Sequence, residues 1–195
     1  MRSITTAAVI AALGVGFATP ALAQNEVSYS FLELGYVDTE LDNLNVDGDG
    51  FALRGSYAFT DLFHGFASYT DTEYDFGVSA EQLEVGGGLR FALNSKLDLV
   101  TTLSYLDVSI DLPGRRNVND DAIALAAGLR SRVNQALELR GEVKHFNYDK
   151  GDNDTALGFG ARYYFTNQFA LTGDVSVADN VGTTFLLGAR LDLSK

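Results

Sequence analysis

The charged residues of this 195-residue chain are the ones whose types and spacing could do chemistry, and they fall into two sets. The first recurs at alternate positions among apolar side chains: Arg54; Glu84 and Arg90; Asp98; Arg130; Glu138, Arg140, Glu142 and Lys144; Arg162; Asp174; Arg190. A strand sends successive side chains to opposite faces, so this pattern gathers charge on one face and Leu, Phe and Tyr on the other. Charges enclosed in a narrow space are costly unless paired, so the expected chemistry is a network of Arg–carboxylate ion pairs. The second set is acidic and clustered: Asp38, Glu40, Asp42, Asp47 and Asp49; Asp71, Glu73, Asp75 and Glu81; Asp107, Asp111, Asp120 and Asp121; Asp149, Asp152 and Asp154; Asp179. Only Arg115, Arg116 and Lys150 lie among them, an excess that disfavours nucleic acid and favours cations.

Motifs for catalysis or cofactor binding are weak. Asn45-Val46-Asp47-Gly48-Asp49-Gly50 matches the first half of an EF-hand loop, but Ser56 stands where the bidentate Glu belongs and no helices flank it. Asp47 and Asp49 are therefore candidates only for a weak, loop-type divalent cation contact, and an Asp- and Gly-rich hairpin top is the plainer reading. Gly86-Gly87-Gly88 sits inside a strand with no following helix, so it gives space to a large neighbour rather than cradling phosphate. The two histidines, His64 and His145, fall at opposite ends of their strands and cannot form a dyad. No cofactor is expected.

The elements that hold these residues follow from four short turns at near-regular intervals: Thr60-Asp61, Asn94-Ser95, Asn134-Gln135 and Thr166-Asn167. Between them the alternation predicts ten strands, at 26–38, 50–60, 62–74, 81–93, 96–110, 121–133, 136–148, 155–165, 168–177 and 183–193. Most are ten to thirteen residues long, matching the roughly 9–11 that a tilted strand needs to cross a bilayer rather than the ~5–6 of soluble sheets. The expected fold is an all-β, antiparallel, up-and-down transmembrane barrel of ten strands, with eight as the alternative. Short turns mark the periplasmic side, and longer Asp- and Gly-rich connections mark the external side. Strands one and three do not settle into one phase: Glu33, Gly35, His64 and Phe66 fit either face.

The chain opens with Arg2, an apolar run from Ala7 to Phe17 and the small-residue box Ala21-Leu22-Ala23, the pattern of a secretory signal peptide. Residues 1–23 are read as that signal and 24–195 as one barrel domain. Export into an oxidising compartment without a single cysteine excludes a disulfide framework and thiolate metal sites. Losing Arg2 makes the net charge of −12 one unit more acidic. The expected address is the outer membrane of a Gram-negative cell, and outer-membrane vesicles with it.

Several motifs resemble the small proteobacterial barrels of the Ax21 family, within the wider OmpA- and OmpX-like group. They are Val27-Ser28-Tyr29-Ser30-Phe31 with Glu33 and Gly35-Tyr36, Asp47-Gly48-Asp49-Gly50, Phe63-His64-Gly65-Phe66 with Tyr69, and Gly173-Asp174-Val175. The resemblance implies a barrel of the outer membrane or its vesicles with no established catalytic site. Barrels of this kind commonly end in an aromatic residue read by the insertion machinery, whereas this chain ends Leu191-Asp192-Leu193-Ser194-Lys195.

The function expected from these features is structural or surface-interaction work through short acidic external loops. The partners are outer-membrane lipid, lipopolysaccharide phosphates bridged by divalent ions, and the insertion machinery, with the barrel itself a monomer. The alternative is a narrow, cation-favouring pore shaped by Arg54, Arg90, Arg130, Arg140 and Arg162. An outer-membrane protease or lipid-modifying enzyme is remote. His145 with Asp149 and Asp152 lacks loops long enough for a groove, and Ser131 lies far from His145 along its strand.

Overall fold

The computed structural model describes residues 27–41, 46–114, 117–180 and 182–193. They form ten strands: β1 (Phe31–Leu41), β2 (Val46–Ala58), β3 (Phe63–Tyr74), β4 (Val78–Asn94), β5 (Leu97–Asp111), β6 (Val118–Arg132), β7 (Leu137–Tyr148), β8 (Asp154–Tyr164), β9 (Phe169–Ala178) and β10 (Gly182–Asp192). Every strand pairs antiparallel with its chain neighbours, and β1 closes on β10 from Phe31↔Asp192 to Glu40↔Thr183. Closure leaves no open sheet edge, which is what a barrel in lipid requires. Ten strands, not eight, build it. Among the described residues no helix is long and apolar enough to cross a membrane.

The four short turns are fixed by their first side chains. Thr60 Oγ1 accepts from the backbone N–H groups of Leu62 and Phe63 at 3.2 and 2.9 Å, and Thr166 Oγ1 does the same for Gln168 and Phe169 at 3.2 and 2.9 Å. Asn134 Oδ1 accepts from Ala136 and Leu137 at 2.8 and 2.9 Å, and Asn94 Oδ1 from Lys96 at 2.9 Å. These side-chain-to-backbone bonds are the reason Thr and Asn mark the turns in the sequence.

The outward face is apolar. Leu53, Leu83, Leu103, Leu125, Leu157, Leu171 and Leu187 all stand exposed on it, from 48 % to 69 %. In water such a surface would be an aggregation site, whereas facing acyl chains it is the solvated one. Aromatic pairs flank the short turns: Tyr57–Phe59 (5.3 Å between centroids), Phe59–Phe63 (5.6 Å) and Phe165–Phe169 (6.4 Å). They mark one interface.

Three expectations need correction. The first strand begins at Phe31 rather than at residue 26, and residues 27–30 turn into the barrel instead. The external connections are shorter than the sequence pattern indicates: 42–45, Asp75–Gly77, 112–117, 149–153 and 179–181. Inward-facing positions stay small, apolar or hydroxylated above the membrane band (Val37, Thr39, Gly48, Gly50), so pairing continues through Asp-bearing residues that read as loop. Asp47-Gly48-Asp49-Gly50 is accordingly part of strand β2 rather than a hairpin top. Finally, Glu33, Gly35, His64 and Phe66 all take the inward phase without a bulge in β1 or β3; the one register shift lies at Ala92/Asn94 in β4. Expectations on residues 1–23, Asp42, Asn45, Arg115, Arg116, Ser194 and Lys195 fall outside the described residues.

Candidate functional site

The inward charges meet in a connected web. Glu138, fully buried on β7, accepts from Arg130 at 2.6 Å and lies 3.4 Å from Arg162 and 3.7 Å from Arg132. Arg162 reaches Glu33 at 3.5 Å, and Glu33 meets Arg54 at 3.3 Å. Arg54 passes to Asp174 at 2.8 Å, Asp174 to Arg140 at 2.9 Å, and Arg140 to Glu142 at 3.2 Å. The web therefore spans the lumen from β6 through β7, β8 and β9 to β1 and β2. Three separate pairs complete the set: Arg90–Asp98 at 3.5 Å, Lys144–Glu84 at 2.6 Å and Arg190–Asp192 at 2.7 Å. Ser104 also donates to Glu84, at 2.6 Å. Each of the twelve lumen residues singled out in the sequence thus has an oppositely charged partner in the structure.

The sequence pattern missed what fills the other side of the lower lumen. Tyr29 is buried there, with its phenol donating to Asp98 at 3.0 Å. The Arg130 guanidinium lies 4.4 Å from its ring centroid, Arg90 lies at 5.2 Å, and the His64 ring is 4.9 Å away. The backbone around it is held as firmly. The Ser28 carbonyl accepts from Arg130 at 3.2 Å and from Arg190 at 2.8 Å, and the Tyr29 carbonyl from Ser56 at 2.8 Å. Tyr29 was hidden because Val27, Tyr29 and Phe31 alternate with Ser28 and Ser30 just as strand residues do.

His64 lies flat against the wall because Gly88 stands opposite; a Cβ at Gly88 would run into the His64 ring, and one at Gly86 would meet Phe66 at 2.6 Å. His145 points out of the barrel and bonds Thr155 at 2.9 Å, so the two histidines never meet. Beside the web the lumen holds a cavity of about 410 Å³ that reaches from Tyr29, His64 and Arg130 to Thr39, Thr72 and Ser176.

Outside, the acidic residues form rows on the strand tops. Glu40 stands opposite Asp47, Asp38 opposite Asp49, Asp49 opposite Glu73, Asp71 opposite Glu81, and Asp107 opposite Asp121. All project outward, over β1 to β6 only. The corresponding outward positions of β7 to β10 are His145, Asn147, Thr155, Val177 and Thr183. Tyrosines lie just below the rows: Tyr105 donates to Asp121 at 2.6 Å, and the Tyr36 and Tyr69 phenols bond Asp49 and Glu81. Among the described residues every ion pair lies in the lumen and none involves these carboxylates. Two other acidic residues are structural. Asp120 accepts from the Lys150 and Gly151 N–H groups at 3.0 and 2.9 Å, and Asp154 from that of Asn180 at 3.3 Å. Among the described residues no group of three or more His, Cys, Asp or Glu is placed to hold a metal ion.

A closed antiparallel barrel with an apolar exterior, an interfacial aromatic girdle and a paired, charged lumen is a transmembrane β-barrel of the outer-membrane type. The chain belongs to the family described as the outer membrane protein beta-barrel domain, whose model matches residues 9–184. No curated protein matches it. Among solved structures it is similar to the NanC porin, at 11 % identity over 84 % of this chain and 100 % of that one, with a TM-score of 0.54. It also resembles the KdgM porin (11 % identity, 84 % and 99 % covered, TM-score 0.48) and Ail, the attachment invasion locus protein of Yersinia pestis (16 %, 84 % and 99 %, TM-score 0.43). At such identities the likeness is one of fold.

Proposed function

We propose that this protein is a non-enzymatic outer-membrane barrel, closed in its resting state, that acts through its outward acidic face by holding lipopolysaccharide phosphates through divalent cations. The observation that carries this reading is the set of five like-charge pairs facing each other in register on β1 to β6. Like charges directly opposite on neighbouring strands are destabilising, by a few tenths to about 1 kcal/mol each. A fold that keeps five of them on one side has a use for them. The tyrosines beneath belong at the membrane–water interface, which sets the carboxylates at headgroup level. A divalent ion shared between a carboxylate pair and a phosphate relieves both repulsions. The exposed Phe76, at φ 66° on the tip of the Asp75–Gly77 turn, adds an apolar contact point beside the rows.

The Ax21-like motifs of the first three strands support a place for the chain among those barrels within the family. The reading includes export by residues 1–23 and a monomeric barrel. Its test is the thermal unfolding midpoint in lipopolysaccharide bilayers, with Mg²⁺ and with EDTA. Mg²⁺ should raise the midpoint of the wild type and lose most of that effect in Asp38→Asn/Asp49→Asn. An equal response of the two proteins would reject the reading. A second reading, a pore for small solutes, is favoured by the lumen cavity of about 410 Å³.

A further inference from the structure

The lower lumen is divided in two. The ionic web runs from Arg130 on β6 across β7 to β9 and on to β1 and β2, through Glu138, Arg162, Asp174, Glu33 and Arg54. The side facing β3 to β6 carries, beyond the web's Arg130 and Arg132 on β6, only the separate Arg90–Asp98 and Lys144–Glu84 pairs. Between these charges its wall is built of small inward residues, Gly86, Gly88, Thr102, Ser104, Ala126 and Gly128, and the His64 and Phe66 rings recess into the space the first two glycines leave. What fills the centre of that half is Tyr29, a residue of no strand. From the geometry we infer that residues 27–30 are a stopper, and that the β3–β6 side of the lumen is a latent conduit for water and small ions which this segment closes at the periplasmic mouth.

The holding contacts are those of a plug rather than of a strand end. One phenol donates to Asp98, one carbonyl takes two guanidinium donors, and Ser56 clasps the next carbonyl. Each guanidinium that touches the segment also has its own carboxylate: Arg130 has Glu138, Arg90 has Asp98 and Arg190 has Asp192. Withdrawal of the segment therefore strands no guanidinium without a carboxylate, and the mouth stays charge-balanced. The lumen cavity, which Tyr29 and His64 line at its lower end, runs up this wall past the Lys144–Glu84 pair to Thr39, Thr72 and Ser176. Because these wall charges are paired, the open conduit carries both signs of small ion, in place of the cation preference that the sequence reading attached to a pore.

The test is single-channel recording of protein extracted from outer membranes. The wild type should give no steps, Tyr29→Phe, which keeps the ring and loses only the phenol, should also stay silent, and Tyr29→Ala should give discrete steps. Silence of a Tyr29→Ala barrel that still shows heat-modifiable mobility overturns the stopper and leaves the proposed function standing. A conducting wild type overturns both. Should Tyr29→Ala not insert, Thr102→Cys replaces it, in a chain that contains no cysteine of its own. Protection of that thiol from an impermeant reagent on the periplasmic side supports the stopper, and rapid modification overturns it.

Discussion

The inner and outer faces of this barrel use the same residue types to opposite ends. Inside, each carboxylate of the web meets at least one guanidinium, and Glu138 meets three. Outside, carboxylates meet carboxylates: Asp49 stands between Asp38 and Glu73. The difference is set by water. An enclosed charge without a partner costs several kcal/mol, so the lumen admits a carboxylate only where an arginine can reach it. At the headgroup level solvent and counterions screen the charge, and repulsion falls to a fraction of that. Selection for stability thus fixes the inner pattern and barely constrains the outer one. Like charges set face to face outside are an argument for use, and the pairing inside is an argument for closure.

The comparison breaks most readily at Glu138. Glu138→Gln leaves Arg130, Arg132 and Arg162 converging on a neutral amide, and should cost about 3–5 kcal/mol, read as a lower midpoint in guanidinium chloride unfolding at unchanged slope. Asp174→Asn leaves Arg54 with Glu33 alone and Arg140 with Glu142 alone, and should cost less, about 1.5–3 kcal/mol by the same assay, because both guanidinium groups keep a carboxylate and Arg54 is partly open to the cavity. A turn variant gives a reference free of charge effects: Asn134→Ala removes the acceptor for two backbone N–H groups and should cost about 1 kcal/mol. The smallest effect has the opposite sign. Asp49→Asn, measured in EDTA, should stabilise the barrel by about 0.2–1 kcal/mol by relieving two facing carboxylates, and should weaken the response to Mg²⁺.

Much of this was legible in the sequence, for a reason specific to barrels in lipid. The membrane forces a strict two-residue period on β6 to β10, and the turn residues Thr60, Asn94, Asn134 and Thr166 announce themselves by chemistry that acts over two or three residues. Ten strands and most members of the lumen web follow from those two signals; Glu33 does not, because the first strand fits either phase. The partners within the web do not, since Arg54–Asp174 and Lys144–Glu84 join strands that are not neighbours, and only closure decides which side chains face across the lumen. Strand ends were misplaced at Val46, Val78 and Val118 because polar outward residues mimic loops once the chain leaves the apolar band. Tyr29 was missed for the converse reason: its alternation imitates a strand although its backbone leaves the sheet.

The most direct test of the account is one denaturant titration, run side by side in EDTA on the wild type, Glu138→Gln and Asp49→Asn. The midpoint should fall far for the lumen variant and rise slightly for the outer one. A fall for both would mean that the outer carboxylates are already paired like the inner ones, and the distinction between the two faces would be gone.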